Sequence, residues 1–141
     1  MLSYTSAFRC FLLDVGATYP RAPGWSGEDI DELAADSVAK RRVEVAIVTF
    51  GGEVQVVKPF STADLFTVPT LEAKGDTPMG QAVVTGLDLL RERKIELSRQ
   101  GIPQFRAWVF LITDGGPTDI DLPVWNEAVQ RVKEGEEKKS F

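Results

Sequence analysis

The sequence predicts an α/β fold: a doubly wound, mostly parallel sheet with one antiparallel edge strand, formed by residues 1–141 as a single domain. Two observations support this prediction. Short apolar runs rich in β-branched and aromatic residues alternate with segments of helical periodicity, a pattern typical of layered α/β proteins. The 141 residues, 43% hydrophobic and 26% charged, are enough for one core but too few for two ordinary domains.

Three apolar runs are predicted to be buried, parallel strands. They are Ala7 to Leu13, Val43 to Phe50 and Trp108 to Thr113. Gly51 and Gly52 separate the second run from the segment EVQVVKPF, and a tight turn at these glycines would make the two segments a hairpin. The second arm of the hairpin is then an antiparallel edge strand that ends near Pro59, because proline cannot donate a ladder hydrogen bond.

Two amphipathic helices are predicted, over Met79 to Gly101 and over Leu122 to Lys138. Their apolar side chains recur at helical spacing. These are Val83, Leu87, Leu90 and Leu97 in the first helix, and Val124, Trp125, Ala128, Val129 and Val132 in the second. Shorter helices are expected over 28–40 and 61–65, with a loop over 18–27. Trp108 and Trp125 are assigned to the core because large aromatic side chains dominate protein interiors.

Composition argues against several classes of function. The net charge is −5, with no clustered basic face for nucleic acid. No segment approaches the roughly 18 apolar residues of a membrane span, and the N-terminus lacks a signal-peptide pattern, so a cytoplasmic protein is predicted. The absence of histidine removes the usual general base and zinc ligand. The single cysteine, Cys10, is predicted to be a buried, reduced thiol.

Polar residues occur in three segments that this topology would bring to one edge of the sheet. Asp14 and Thr18 follow the first strand, GDTPMG (75–80) precedes the long helix, and TDGGPTD (113–119) follows the last strand. Because the first and last strands are expected to be adjacent, Asp14 and Asp114 should meet in one crevice. Carboxylates and hydroxyls are hard oxygen ligands, so the set suits Mg²⁺ or Mn²⁺ completed by water.

Each segment also has a structural interpretation. Asp14 could cap the turn after its strand. Asp76 or Thr77 could cap the long helix, with Pro78 at its first position. Thr118 and Asp119 are assigned to a turn or to the next helix cap, so only Asp114 is predicted to be functional in that segment. The glycine-rich segments lack the spacing of a phosphate loop, so nucleotide binding has little support.

The segments LLDVGAT, GDTPMGQAV and VFLITDGGPTD resemble the von Willebrand factor A (vWA) domain, and within it the TerY-like, tellurite-resistance group of bacterial cytoplasmic proteins. The resemblance covers about residues 8–141. It implies a Rossmann-like vWA fold and a metal-ion-dependent adhesion site (MIDAS) formed by Asp14, Thr18, Thr77 and Asp114. Gly16 stands where the family has a serine ligand, so this site is expected to bind Mg²⁺ or Mn²⁺ weakly or to have lost the ion.

Two further differences from the family pattern concern the fold. The first helix is short, and the sequence stops about where the family begins its next strand. The expected fold is therefore an incomplete vWA domain without its last strands. The strand WVFLI would then lie at an open sheet edge, where self-association is possible because its backbone groups are unpaired.

Three functions follow from these observations. The first is a non-enzymatic module whose Mg²⁺ or Mn²⁺ binds an acidic side chain of a protein partner; the resemblance implies a role in tellurite resistance or another stress response. The second is a metal-free, degenerate vWA scaffold. The third is a Mg²⁺-dependent phosphohydrolase of the haloacid-dehalogenase kind, suggested by Asp14 and the Thr four residues later. Gly16 weakens the third, since that family has a second acid there.

Overall fold

The described residues form four strands and two helices, in the order predicted for these elements. The computed structural model describes residues 7–14, 43–62, 75–113 and 116–141. The strands are β1 (Ala7–Asp14), β2 (Val43–Gly51), β3 (Glu53–Thr62) and β4 (Trp108–Ile112), and the helices are α1 (Met79–Arg99) and α2 (Pro123–Glu137). Each predicted boundary lies within two residues of the observed one.

The strands form one mixed sheet in the order β3-β2-β1-β4. Strand β1 pairs in parallel with both β2 and β4, whereas β2 and β3 form the predicted antiparallel hairpin. The turn of the hairpin needs glycine, because Gly52 adopts a positive φ of 74°. The prediction of a mostly parallel sheet with one antiparallel edge strand is confirmed, and β4 is the other edge strand among the described residues.

The two central strands are mostly apolar because both of their faces are buried. On the face that carries the helices, a cluster combines strand residues such as Leu12 and Phe50 with Ala82 and Leu87 of α1 and Ala128 of α2. On the opposite face, Phe11, Leu13, Val45 and Ile47 belong to a second buried cluster, whose described members all come from strands. Continuous apolar runs are the expected sequence of such strands.

Both described helices therefore lie on the same face of the sheet. Helix α1 packs on β1, β2 and β3 and contacts α2 along its side. The short helix predicted over 28–40 and the loop predicted over 18–27 lie outside the described residues. The second helical layer of a doubly wound sheet thus stays a prediction, while the α/β class and the mixed sheet are established.

A buried ion pair fixes α1 against β2. Glu44 of β2 is only 4% exposed, and its Oε1 lies 2.8 Å from Nη2 of Arg93 on α1. The pKa of Arg93 is raised, because hydrogen bonds and charge interactions with Glu44 and Glu96 outweigh the opposing effect of its partial burial. The other oxygen of Glu44, Oε2, has no hydrogen-bond partner among the described residues. Loss of Arg93 would therefore leave a buried carboxylate without compensation.

Three local predictions are wrong in detail. A helix was predicted over 61–65, but residues 61 and 62 belong to the sheet, because β3 continues past Pro59 to Thr62. The strand can pass Pro59 because its pairing with β2 is irregular there, with register shifts between Val45 and Val48. In α2, Val129 and Val132 are exposed although they were expected on the buried face.

Trp108 is the third correction, since it is 57% exposed and not a core residue. It lies on the edge strand β4, where only one neighbouring strand can cover it, and the guanidinium carbon of Arg9 sits 5.0 Å from its ring centroid. Trp125 is partly buried and packs against the helix-side core, as predicted.

Cys10 is fully buried in β1, as predicted. Burial in an apolar environment disfavours the thiolate and raises the pKa of Cys10 to about 12. Among the described segments, neither helix is long and apolar enough to cross a bilayer.

Candidate functional site

The carboxyl ends of the parallel strands meet at one edge of the sheet. Strand β1 ends at Asp14, whose backbone is in register with Phe50 near the end of β2. On its other side, Leu13 is in register with Ile112, the last residue of β4. The predicted adjacency of the first and last strands is confirmed, and loops that follow β1, β2 and β4 start side by side.

The segment that precedes α1 is held at this edge by the hairpin turn. The N–H of Gly52 donates a 2.8 Å hydrogen bond to the carbonyl of Asp76. Gly75 has a positive φ of 33°, and a Cβ at this residue would lie 3.2 Å from Cα of Gly52. Gly75 thus permits a close approach of two backbones that a larger residue would prevent. The sequence GDTPMG is thereby fixed directly beyond the end of β2.

Thr77 is fixed a second time, by the segment that follows β4. The N–H of Thr118 donates to the carbonyl of Thr77 at 2.9 Å, and the N–H of Thr77 donates to Oγ1 of Thr118 at 3.1 Å. Both backbone polar groups of Thr77 are therefore used, whereas its own hydroxyl makes no hydrogen bond to any described residue. The hydroxyl of Thr77 has the positional restraint and the unused lone pairs that a metal ligand needs.

The N-terminus of α1 is capped from a distance by Asp119. The carboxylate of Asp119 is 4% exposed; its Oδ1 accepts from the N–H of Gly80 at 3.0 Å and its Oδ2 from the N–H of Gln81 at 2.9 Å. Two of the unpaired N–H groups at the helix start are satisfied in this way, and the negative charge faces the positive end of the helix dipole.

This arrangement corrects the predicted cap of α1. Pro78 occupies the N-cap position itself and no side chain caps the helix locally, so neither Asp76 nor Thr77 has that role. Asp119 was predicted to belong to a turn, and its backbone does, because its carbonyl accepts a hydrogen bond from the N–H of Leu122. Its side chain does not cap α2, which begins after Leu122 without a side-chain cap.

Gly80 permits the close contact between the two helix starts. A Cβ at Gly80 would lie 3.0 Å from Oδ2 of Asp119 and 3.1 Å from Cα of Trp125 in α2. Both distances are shorter than ordinary van der Waals contact, so a side chain at this position would crowd Asp119 and α2. The same contacts hold Thr77 between β2 and the segment after β4.

The charge at this edge favours a cation. The described parts of the two segments, GDTPMG and GPTD, contain carboxylates and hydroxyls but no Lys or Arg. Asp119 is already committed to two backbone N–H groups. Hydroxyl and carboxylate oxygens together form the donor set of Mg²⁺ and Mn²⁺ sites, so the residues predicted for the metal fit such an ion chemically.

Two of the four predicted ligands lie within the described residues. Thr77 lies at the edge of the sheet with its backbone fixed, and Asp14 is described through its backbone, which ends β1 at the same edge. Thr18 and Asp114, as well as Gly16, lie outside the described residues. Within the described segments, no group of three or more Asp, Glu, Cys or His residues could hold an ion. The complete ligand set therefore stays a prediction.

Sequence reasoning missed the roles of Thr118 and Asp119. Their partners, Thr77 and Gly80, are about 40 residues away, since the two hydrogen bonds span 41 and 39 residues. No local sequence pattern marks a cap of this kind. The one available signal was that a helix starts after Pro78 and that an Asp follows the next strand.

No family model and no curated protein matches the chain.

Proposed function

We propose that the protein is a non-enzymatic, protein-binding module of vWA type. Its Mg²⁺ or Mn²⁺ would be held at the carboxyl edge of the sheet by Asp14, Thr18, Thr77 and Asp114. An acidic side chain of a partner protein would complete the coordination of the ion. Tellurite resistance or another stress response is the setting that the resemblance of the sequence suggests.

The observation that carries this proposal is the fixed position of Thr77. Three backbone hydrogen bonds hold residues 76–77 between the β2–β3 turn and the segment after β4. The segment between Ile112 and Gly116, which contains Asp114, starts beside the end of β1. The fixed backbone of Thr77 and the adjacent ends of β1 and β4 support a site whose ligands come from neighbouring segments.

The residues around the ion would orient the partner protein. The ion itself would supply a positive charge and an open coordination position for the partner's carboxylate. Glycine at position 16 leaves one ligand fewer than the family pattern, so an additional water is expected and the affinity for the ion should be low. A weak site of this kind would bind tightly only when the partner's carboxylate adds its own bond.

Thermal unfolding in the presence of Mg²⁺ or Mn²⁺ tests the proposal. An ion that binds only the folded chain stabilises it by about 1.4 kcal/mol at ten times its Kd, which raises Tm by roughly 4 °C in a domain of this size. We expect this rise for the wild type and its loss in Asp114→Ala and Thr77→Ala.

Glu92→Gln is the matched control, since Glu92 is an exposed carboxylate on α1 with no described partner. It should show the wild-type response. An equal rise in Asp114→Ala and the wild type would refute the site, and no rise in the wild type at millimolar ion would refute the metal-dependent function.

A second candidate, a metal-free scaffold, is favoured by the exposed edge strand β4. Its side chains Trp108 and Leu111 are 57% and 44% exposed, and no described strand pairs with its outer edge. An edge of this kind can pair with a strand of another chain. If no ion binds, a protein that elutes as a dimer in size-exclusion chromatography and becomes monomeric on Leu111→Lys would support this candidate.

A further inference from the structure

A cavity of about 550 Å³ lies between helices α1 and α2, away from the candidate metal site. This volume is in the range of pockets that bind small organic molecules, about 300–1,000 Å³. The residues of α1 that line it run from Leu87 to Ile95, in the middle of the helix and beyond. Leu90 is about 16 Å along the helix axis from Met79, so the cavity and the edge that holds Thr77 are separate.

The rim of this cavity is cationic although the protein as a whole is acidic. Arg91 and Lys94 of α1 and Arg131 and Lys138 at the end of α2 line it, with Glu134 as the opposing carboxylate. Against a net charge of −5 for the chain, this concentration of positive side chains is local. Such a rim attracts anions more strongly than the average surface of the protein does.

Three of the four cations have no carboxylate partner among the described residues. Arg131 is neutralised, since its Nη1 lies 2.7 Å from Oδ1 of Asp88. Arg91 and Lys138 take part in no described ion pair or side-chain hydrogen bond. Lys94 donates only to the carbonyl oxygen of Ser140, which leaves two of its three N–H donors unused.

Apolar side chains form part of the cavity lining, beside the charged groups. Leu87 and Leu90 are buried at its base, Phe141 packs beside them, and Ile95 is 41% exposed. The ring of Phe141 packs directly against Gly135 of α2, a contact that leaves no room for a side chain at that position. Partial burial also lowers the pKa of Lys94, which an anion beside its ammonium group would reverse.

We propose that the α1–α2 cavity binds a small organic anion with an apolar body, such as a medium-chain carboxylate. The apolar part would lie against Leu90 and Ile95, where it is removed from water. The carboxylate would accept hydrogen bonds from Lys94 and Arg91, which charge makes stronger than neutral bonds. Neither an uncharged analogue nor a cationic one could use both features of the cavity.

Isothermal titration calorimetry with decanoate, kept below its micelle-forming concentration, tests this proposal directly. Decanol and decyltrimethylammonium serve as neutral and cationic probes of the same chain length. We expect decanoate to bind at least tenfold more tightly than either. Equal binding of decanoate and decanol would overturn the charged half of the proposal, and the absence of decanoate binding would overturn all of it.

Variants locate the binding in the cavity. Lys94→Met and Arg91→Met should each weaken decanoate binding about tenfold. Because Arg91 is exposed, its replacement leaves the core unchanged, so weaker binding by this variant would not reflect misfolding. Lys133→Met removes an exposed cation of α2 that does not line the cavity, and it should bind within twofold of the wild type. If Lys133→Met weakens binding as much as Arg91→Met does, attraction to general surface charge explains the result and the proposal fails.

Discussion

Replacement of Asp119 by alanine should destabilise the protein, because its side chain holds the start of α1. The side chain of Asp119 is buried and accepts hydrogen bonds from the N–H groups of Gly80 and Gln81. It is the only described side chain that caps α1, because the local cap residue is Pro78. Removal of the carboxylate leaves these donors at the start of a 21-residue helix without acceptors.

The size of the effect follows from two contributions. Loss of an N-cap side chain costs about 0.5–2 kcal/mol, and each buried donor left without a charged acceptor costs about 1–3 kcal/mol. The two costs describe the same hydrogen bonds and are therefore not simply added. The expected loss of unfolding free energy is about 2–4 kcal/mol. In a domain of this size that corresponds to a fall in Tm of roughly 10 °C.

Urea denaturation followed by circular dichroism measures this loss. Asp119→Asn keeps one carbonyl acceptor but not the charge, so its loss should be about half that of Asp119→Ala. Asp121→Ala is the control, since Asp121 is exposed, two residues away and without a described hydrogen bond. An unfolding free energy of Asp119→Ala within about 0.5 kcal/mol of the Asp121→Ala value would refute the long-range cap.

Two further predictions concern the core. Arg93→Met should lower the free energy of unfolding, measured by urea denaturation, by about 3 kcal/mol, because the buried carboxylate of Glu44 loses its partner. The double variant with Glu44→Gln should recover part of this loss. A loss no greater than that of Arg91→Met would contradict the prediction. Burial raises the pKa of Cys10 from 9.0 to about 12, so stability from the neutral thiol is fully present below pH 9 and is lost as pH rises toward 12. Relative to Cys10→Ala, the wild type should lose about 1.4 kcal/mol by about pH 10, and parallel pH profiles of the two proteins would contradict this.

The sequence was sufficient to predict elements whose determinants are local. Apolar runs that end at Asp14 and Gly51 predicted the central strands, because strands buried on both faces need no polar alternation. The hairpin followed from the two glycines at its turn, of which Gly52 adopts the positive φ. The length of α1 followed from the helical spacing between Val83 and Leu97.

Features that depend on distant partners were not predicted. The open edge at β4 was expected from the sequence, but Trp108 was still assigned to the core, and it is exposed because only one described strand lies beside it. Asp119 caps a helix that begins about 40 residues earlier, and nothing in the sequence around it indicates that partner. At the candidate site, the end of β1 was predicted from the sequence, but the hydrogen bonds that restrain Thr77 come from the distant Gly52 and Thr118 segments.

Direct binding of Mn²⁺, measured by the loss of the free-ion signal in electron paramagnetic resonance, tests the central claim most directly. A metal-dependent module predicts saturable binding of about one ion per chain, displaced by Mg²⁺ and abolished by Asp14→Asn, whereas Asp121→Asn should bind like the wild type. A free-ion signal that equals that of buffer, or equal binding by the wild type and Asp14→Asn, would contradict a metal site at the carboxyl edge of the sheet.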